Sequence, residues 1–358
     1  MAGLKKIADR IKTVRSTHQV TSAMKVVAVS RLRKLHETFL RTSPYMQEMN
    51  RIMRRLIRSV SMRQDVAEAD VEKISPLPML LRGNGKDHHY VLVVITSDDG
   101  LSGAANVQVV QKTEEMIRYL QEQGKEVTLF CFGTRGGDIL KRIYPEMPMR
   151  ILRRKMMGKE IYADAERLSM AMLESFDKGL FDVCIMIYNQ FHSVVSQKTT
   201  IEQLVPNKLF SPENPWQFMI DSKDPEYVHR DALGHKKIDI HKSTFLKAFG
   251  GVDMLSPLGA IDREILGHAT RPPFVYDYEP SDIEVLHRML PQYIVAYVNR
   301  VLLETEVSDN AARLMAMDNA TRNAEDMLAK LDMKYKRTRQ DKITTEIAEV
   351  TSGAQSVL

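Results

Sequence analysis

The first sixty residues carry apolar side chains at alternating intervals of three and four. Leu4, Ile7, Ile11 and Val14 open the series, and Ala28, Leu32, Leu35 and Phe39 resume it. Met46, Met49, Met53, Leu56 and Val60 continue in the same phase. All fall on one seven-residue register, broken only by His18, Thr21, Lys25 and Thr42. A repeat of 3.5 residues held this long predicts a coiled-coil seam, since an ordinary core helix runs about 12 residues. The polar interval 18–25 predicts a stretch where the partner changes or contact with it is lost. Ser43-Pro44 predicts a kink or a division of the helix.

The other end of the chain behaves alike. From Pro291, a good first-turn residue, no proline or glycine occurs until Gly353. Ile294, Val298, Val301, Leu314, Ala324, Met327, Leu331, Tyr335, Ile343, Ile347 and Val350 keep an approximately helical spacing. About 60 residues at 1.5 Å each make roughly 90 Å of helix. Two such helices at opposite chain ends can bury their seams on each other, so an antiparallel coiled-coil shaft is expected.

Between them the period changes. The runs 89–96, 126–132 and 182–188 are continuous apolar strands, and 198–205 alternates like an edge strand. Helical patterns at about 104–123 and 160–178 separate them. Strand–helix alternation with continuously apolar strands predicts a mostly parallel, covered, Rossmann-like sheet. The expected fold class is therefore α/β: a long antiparallel coiled coil of N- and C-terminal helices plus a central, mostly parallel domain. The expected division is 1–62 (first coiled-coil helix), 88–206 (α/β domain), 207–281 (an extended insertion upon it) and 282–358 (second coiled-coil helix).

Charge separates the two ends. Residues 1–60 hold five Lys and nine Arg against Asp9, Glu37 and Glu48, a net +11, whereas the whole chain of 358 residues carries +5. A basic segment attracts nucleic acid, anionic lipid or an acidic protein surface, and Arg51, Arg54, Arg55 and Arg58 would suit phosphates. No run of about 18 apolar residues is long enough to span a membrane, and the N-terminus has no signal-peptide core. Cys131 and Cys184 lie apart in apolar runs and read as buried thiols of a reducing compartment.

Candidate chemistry in the middle is thin. Residues 97–103, SDDGLSG, sit between strand and helix, where dinucleotide loops lie, yet no G-x-G-x-x-G or G-x-x-x-x-G-K-[ST] spacing is present. A tight turn with closely packed glycines is the reading, and the loop 133–137, GTRGG, is read alike. Asp98 and Asp99 have no His, Ser or Cys partner nearby, so turn formation is favoured over acid–base work. His229, His235 and His241 fit no common zinc spacing. No catalytic residue, cofactor or metal ligand is expected.

The chain ends then become recognisable. Residues 11–33, IKTVRSTHQVTSAMKVVAVSRLR, resemble the N-terminal helix of the gamma subunit of F-type ATP synthases. Residues 310–321, NAARLMAMDNAT, and 339–354, RQDKITTEIAEVTSGA, resemble its C-terminal helix, and 96–106, TSDDGLSGAAN, is similar to its central turn. Asp99 stands where that family usually has a basic residue, Val26 and Val29 replace its usual Met and Ala, and 207–275 is longer than its loop. The chain lacks the paired cysteines of the plant-chloroplast form, so no thiol switch is implied. The resemblance implies the central rotor stalk, one copy per complex, coupling ion flow through a membrane c-ring to ATP synthesis or hydrolysis in an alpha/beta head, and not itself catalytic. It implies as partners the alpha, beta and epsilon subunits and the c-ring, no nucleic acid, and a peripheral place on the cytoplasmic face of a bacterial inner membrane. By the same resemblance, Met24, Arg31, Arg33, Lys34, Arg313, Arg339, Gln340 and Thr344 are rotor–stator contacts, with Met24 beside Arg313, Arg339, Gln340 and Thr344. Tyr278 and Glu279, in the turn YEP, face the c-ring and epsilon. The rival readings are a basic coiled-coil protein binding nucleic acid and a nucleotide-using enzyme.

Overall fold

The computed structural model describes residues 2–67, 78–153, 159–207 and 278–355. The expectations for Trp216, for His229, His235, His241 and His268, and for nearly all of 207–281 lie outside these residues. Helix α1 spans Ala2–Ala67 and the last helix, α6, spans Asp282–Gln355. The chain forms two compact units, one of residues 1–31 and 313–358, the other of 32–312.

In the first unit the two helices run antiparallel, and the polar interval is where they are most specifically joined. His18 Nε2 lies 2.9 Å from Glu325 Oε1, Thr321 donates its hydroxyl to that of Thr21 at 3.0 Å, and Lys25 Nζ lies 2.6 Å from Asp318 Oδ1. Rising numbers on α1 meet falling numbers on α6. The expected loss of contact at 18–25 is thus replaced by a polar ladder. Its central threonine pair is buried. The pair favours this register without enforcing it alone, because each hydroxyl also has a carbonyl of its own helix within reach, His18 for Thr21 at 3.1 Å and Met317 for Thr321 at 2.8 Å.

In the second unit α1 is not divided at Pro44, which lies inside it. Leu32, Phe39, Met46, Met49, Met53 and Leu56 are buried, as the seven-residue register requires. Helix α6 begins nine residues before Pro291, which is an interior residue and not a first-turn one. The true start is a capping signal, Ser281-Asp-Ile-Glu284: the Ser281 hydroxyl accepts the Glu284 N–H at 3.2 Å, and its carbonyl accepts Val285 N–H at 3.0 Å.

The remaining elements of this unit are α2 (Met79–Arg82), β1 (His89–Ile95), α3 (Ala105–Glu122), β2 (Glu126–Phe132), α4 (Thr134–Ile143), β3 (Met149–Leu152), α5 (Lys159–Asp177), β4 (Val183–Phe191) and β5 (Gln197–Val205). The sheet order is β3-β2-β1-β4-β5, parallel except for β5, which pairs antiparallel with β4 at the edge. The aliphatic residues of β1, β2 and β4 pack with Val109, Met116, Ile117 and Leu120 of α3. Between α1, α5 and α6 an open groove of about 620 Å³ remains, lined among others by Ser43, Tyr45, Tyr162, Met170 and Pro291.

Three elements differ from expectation, one of them the four-residue α2, for which no pattern was read. The segment 133–137, read as a loop, opens α4, and the four-residue β3 was not foreseen. Gly133 has φ +114°, and a Cβ there would stand 2.0 Å from the Thr96 carbonyl oxygen; one on Gly136 would stand 2.5 Å from Thr96 Cγ2. The glycines let α4 start against the end of β1. Gly133 is the N-cap residue, and Asp98, from the loop after β1, satisfies a first-turn donor, its Oδ1 accepting Thr134 N–H at 2.7 Å.

The buried Asp182 carboxylate holds the N-terminal end of the sheet. It accepts the backbone N–H groups of His88 and His89, at 2.9 Å each, and the Asn84 amide at 2.7 Å. Burial alone would raise its pKa, but the bonds from His89, Asn84 and His88 outweigh this and hold it below the ordinary 3.8. A depressed carboxyl pKa contributes stability above the unfolded value, and that stability is lost as pH falls through the folded value. Asp182→Asn is therefore expected to cost about 1–3 kcal/mol at neutral pH. It should also flatten the fall in denaturant midpoint below pH 4; an acid limb identical to that of the parent chain would contradict this account.

Candidate functional site

Among the residues singled out by sequence, those of the first unit are spread along it. Met24 is half-buried and level with the ladder, between the Thr21–Thr321 and Lys25–Asp318 contacts. Arg31 is half-buried and Arg313 buried. Arg339, Gln340 and Thr344 are exposed. From Arg313 to Arg339 is 26 residues of one helix, roughly 39 Å. The structure therefore does not bring Met24 beside Arg339, Gln340 and Thr344. Thr344 donates its hydroxyl to the Gln340 carbonyl at 3.0 Å, so these two lie on one turn.

This unit also shows apolar side chains that its own helices leave in solvent. Val20, Val26 and Val27 of α1 are exposed, and on α6 Ile343, Ile347 and Val350 are exposed, Val350 at 73%. Ile343, Ile347 and Val350 carried the helical spacing in the sequence, whereas Val20, Val26 and Val27 lie off the seven-residue register of α1. No partner within the described residues covers them.

In the second unit Arg33 and Lys34 are exposed on α1. Arg33 Nε stands 3.3 Å from Glu37, one turn on, and the Lys34 carbonyl accepts the Thr38 hydroxyl at 3.0 Å. Tyr278 is half-buried and Glu279 exposed, just before α6. The loop after β1 is a closed polar circuit. Asn106 Oδ1 accepts Ser97 N–H at 3.0 Å, its amide donates to Ser97 Oγ at 2.7 Å and Ser102 Oγ at 3.1 Å, and Ser97 Oγ donates to the Asp99 carbonyl at 2.7 Å. These groups are spent on one another, as the tight-turn reading expects. Cys131 and Cys184 are buried free thiols, each pushed up to about 12 by burial.

Sequence reasoning missed how the sheet is fastened to the helices. Glu202, on β5, accepts hydrogen bonds from the hydroxyls of Tyr297 on α6 and of Tyr188 on β4, the latter at 3.1 Å. Burial, reinforced by the Glu202 charge, pushes the Tyr188 hydroxyl well above its ordinary value. Tyr293 donates to Asn50 Oδ1 of α1 at 2.9 Å and stacks on Tyr297. His36 of α1 packs edge-on against Phe191, at the end of β4, with centroids 6.4 Å apart. The only sequence signal was the placing of Tyr293 and Tyr297 one turn apart in an aliphatic stretch.

The family model described as ATP synthase matches residues 3–357. A protein from Rhodospirillum rubrum named ATP synthase gamma chain is 36% identical over 357 residues, covering all of both chains. One of the same name from Azorhizobium caulinodans is 32% identical with the same coverage. Among solved structures, a rotor chain of the Euglena gracilis mitochondrial ATP synthase resembles this one in fold, with TM-score 0.52, 19% identity, and 96% and 99% of the two chains covered.

The Glu202 knot makes a measurable demand. Tyr297→Phe is expected to cost about 1–2 kcal/mol, leaving the Tyr188 bond to keep the carboxylate from being bare. Coupling with Glu202→Gln in a double-mutant cycle should exceed about 0.5 kcal/mol. Faster amide exchange in β5 is the accompanying sign; strictly additive costs would mean the two side chains do not act together.

Proposed function

Because the chain belongs to the ATP synthase gamma chain family, we propose that it is the central rotor stalk of an F-type ATP synthase, coupling ion flow through a membrane c-ring to ATP synthesis or hydrolysis in an alpha/beta head. The observation that carries this reading is the set of apolar side chains left in solvent on the first unit, Val26 and Val27 on α1 and Ile343, Ile347 and Val350 on α6. A sleeve of other subunits would bury them, at about 25 cal/mol per Å² of apolar surface. The subunit is a mechanical part and contributes no catalytic group. An asymmetric shaft can favour a different conformation of each of several identical sites according to its angle, because each orientation offers different contacts.

In this reading the α/β domain, residues 88–206, is the foot, and epsilon and the c-ring are met near Tyr278 and Glu279. Arg31, Arg33 and Lys34 form a basic belt facing acidic loops of the head, and Met24, Arg313, Arg339, Gln340 and Thr344 meet the head at separate levels. No helix among the described residues is long and apolar enough to cross a membrane. The chain is held at the membrane through its partners, on the cytoplasmic face in a bacterium. Membership in this family displaces the nucleic-acid reading of the basic end and the nucleotide-enzyme reading of the sheet. Purification of the tagged chain should bring down alpha, beta and c subunits, and recovery of the chain alone from detergent-solubilised membranes would sink the proposal.

Two substitutions refine it. Met24→Lys puts a second cation beside Lys25, whose charge is already met by Asp318. Protons pumped per ATP hydrolysed should fall about two- to fivefold, the range that up to ~1 kcal/mol at a solvent-accessible charge allows. Hydrolysis itself should change less; equal losses of both would place Met24 in the seam and nowhere else. Tyr278→Cys, in an assembled complex carrying a cysteine in the polar loop of the c subunit, should give a gamma–c cross-link on oxidation. A cross-link to beta would put this end of the chain in the wrong place.

A further inference from the structure

We propose that His88, His89 and Glu126 form a surface site for one borderline divalent cation of the zinc class, at the N-terminal end of the sheet in the second unit. One ligand atom from each of the three lies within 4.8 Å of the others. His89 Nδ1 stands 3.0 Å from one Glu126 oxygen and His88 Nε2 3.7 Å from the other. Zinc bound at 2.0–2.2 Å by nitrogen and oxygen needs ligand-to-ligand spacings of about 3.3 Å in a tetrahedron. The two histidine–carboxylate spacings lie on either side of that value, and side-chain rotation has to close the widest spacing in the set, up to 4.8 Å.

Neighbouring residues of a strand ordinarily point to opposite faces, and two adjacent histidines would not then converge. Here the chain bends at His88 and enters the strand only at His89. Both imidazoles can therefore approach Glu126, the parallel-strand partner of His89. The backbone beneath them is firmly held. The Asp182 carboxylate takes the N–H of both histidines, the His88 carbonyl accepts Glu126 N–H at 2.9 Å, and the His89 carbonyl accepts Asp182 N–H at 2.8 Å. Four backbone bonds thus fix the three ligand-bearing positions before any cation arrives, which lowers the ordering cost of binding. The adjacent Lys125 is paired with Asp87 at 2.8 Å, so its charge is already met.

Two imidazoles and a carboxylate suit zinc, and copper or nickel less selectively, while magnesium and calcium prefer all-oxygen sets. The three side chains are accessible, so water completes the coordination and the bound ion exchanges with solvent. Bound there, the cation clips the start of β1 to the start of β2 and stabilises the foot by mass action. The histidines weighed from their spacing, His229, His235 and His241, lie elsewhere in the chain, and nothing local joins His88 and His89 to Glu126.

The test is a Co²⁺ titration of the full-length, untagged chain, followed by Zn²⁺ competition. One equivalent of Co²⁺ should give visible ligand-field absorption that Zn²⁺ displaces, with a dissociation constant at or below about 0.1 mM. Glu126→Gln should weaken binding more than about tenfold, and His88→Ala with His89→Ala should abolish it. All three side chains are solvent-accessible, so the variants should keep the circular-dichroism spectrum of the parent and differ from it in thermal midpoint only when Zn²⁺ is present. Absence of cobalt absorption up to 1 mM metal, or an affinity unaltered in either variant, would overturn the site.

Discussion

A helix of more than sixty residues has no interior in which to hide an apolar stripe, so it exists in water only as far as something else covers that stripe. This constraint governs the whole chain. In the second unit the stripe on α1 is covered, and Leu32, Met53 and Leu56 are fully buried. In the first unit cover gives way to a polar ladder, and beyond the ladder to side chains facing solvent. On α1 the register residues pass from mostly buried, at 32–56, through the ladder to half-buried, at 4–14, so the register reports a need for cover without saying who supplies it.

The α/β domain meets the helices by a different kind of contact. Its attachment is polar and specific: one carboxylate on the antiparallel edge strand receives hydroxyls from a neighbouring strand and from α6. An apolar face could slide, whereas Glu202 with Tyr188 and Tyr297 cannot shift by a residue without leaving a poorly hydrated charge without its bonds. A coupling that must carry force benefits from a joint whose geometry has one solution. The same logic recurs at Asp182, where one carboxylate gathers three donors and so fixes where β1 begins.

Much of this was legible from residues alone, for physical reasons that differ by element. The long helices announced themselves because a seven-residue repeat is redundant: no single substitution hides it. Strands β1, β2 and β4 were legible because continuous apolar runs have few alternatives, and β5 because it alternates polar with apolar residues. Helix α4 was missed because the glycines that let it approach Thr96 also look like loop punctuation, and β3 because four residues carry no period. Pro291 was read as a first-turn residue although it lies inside α6, and the capping sequence at Ser281, directly before the expected boundary at 282, went unread. The polar ladder was misread because His18, Thr21 and Lys25 look like an interruption until their partners, more than 290 residues later, are set opposite them. No local signal could have joined Glu202 to Tyr297 or His88 to Glu126, since each pairing depends on strand order and on a bend.

Proline within the long helices has a mechanical meaning. Pro44 and Pro291 lack an amide hydrogen, so the carbonyls of Leu40 and His287 each lose the rung that would otherwise tie them four residues on. Residues flanking Pro44 and Pro291 itself line the same open groove, where α5 leaves the helices incompletely braced. Resistance to bending is therefore lower there than in the uninterrupted stretches of the same two helices. A load on this part of the helices would bend them at the proline turns before it bent their unbroken turns, as a hinge gives before the leaf it carries.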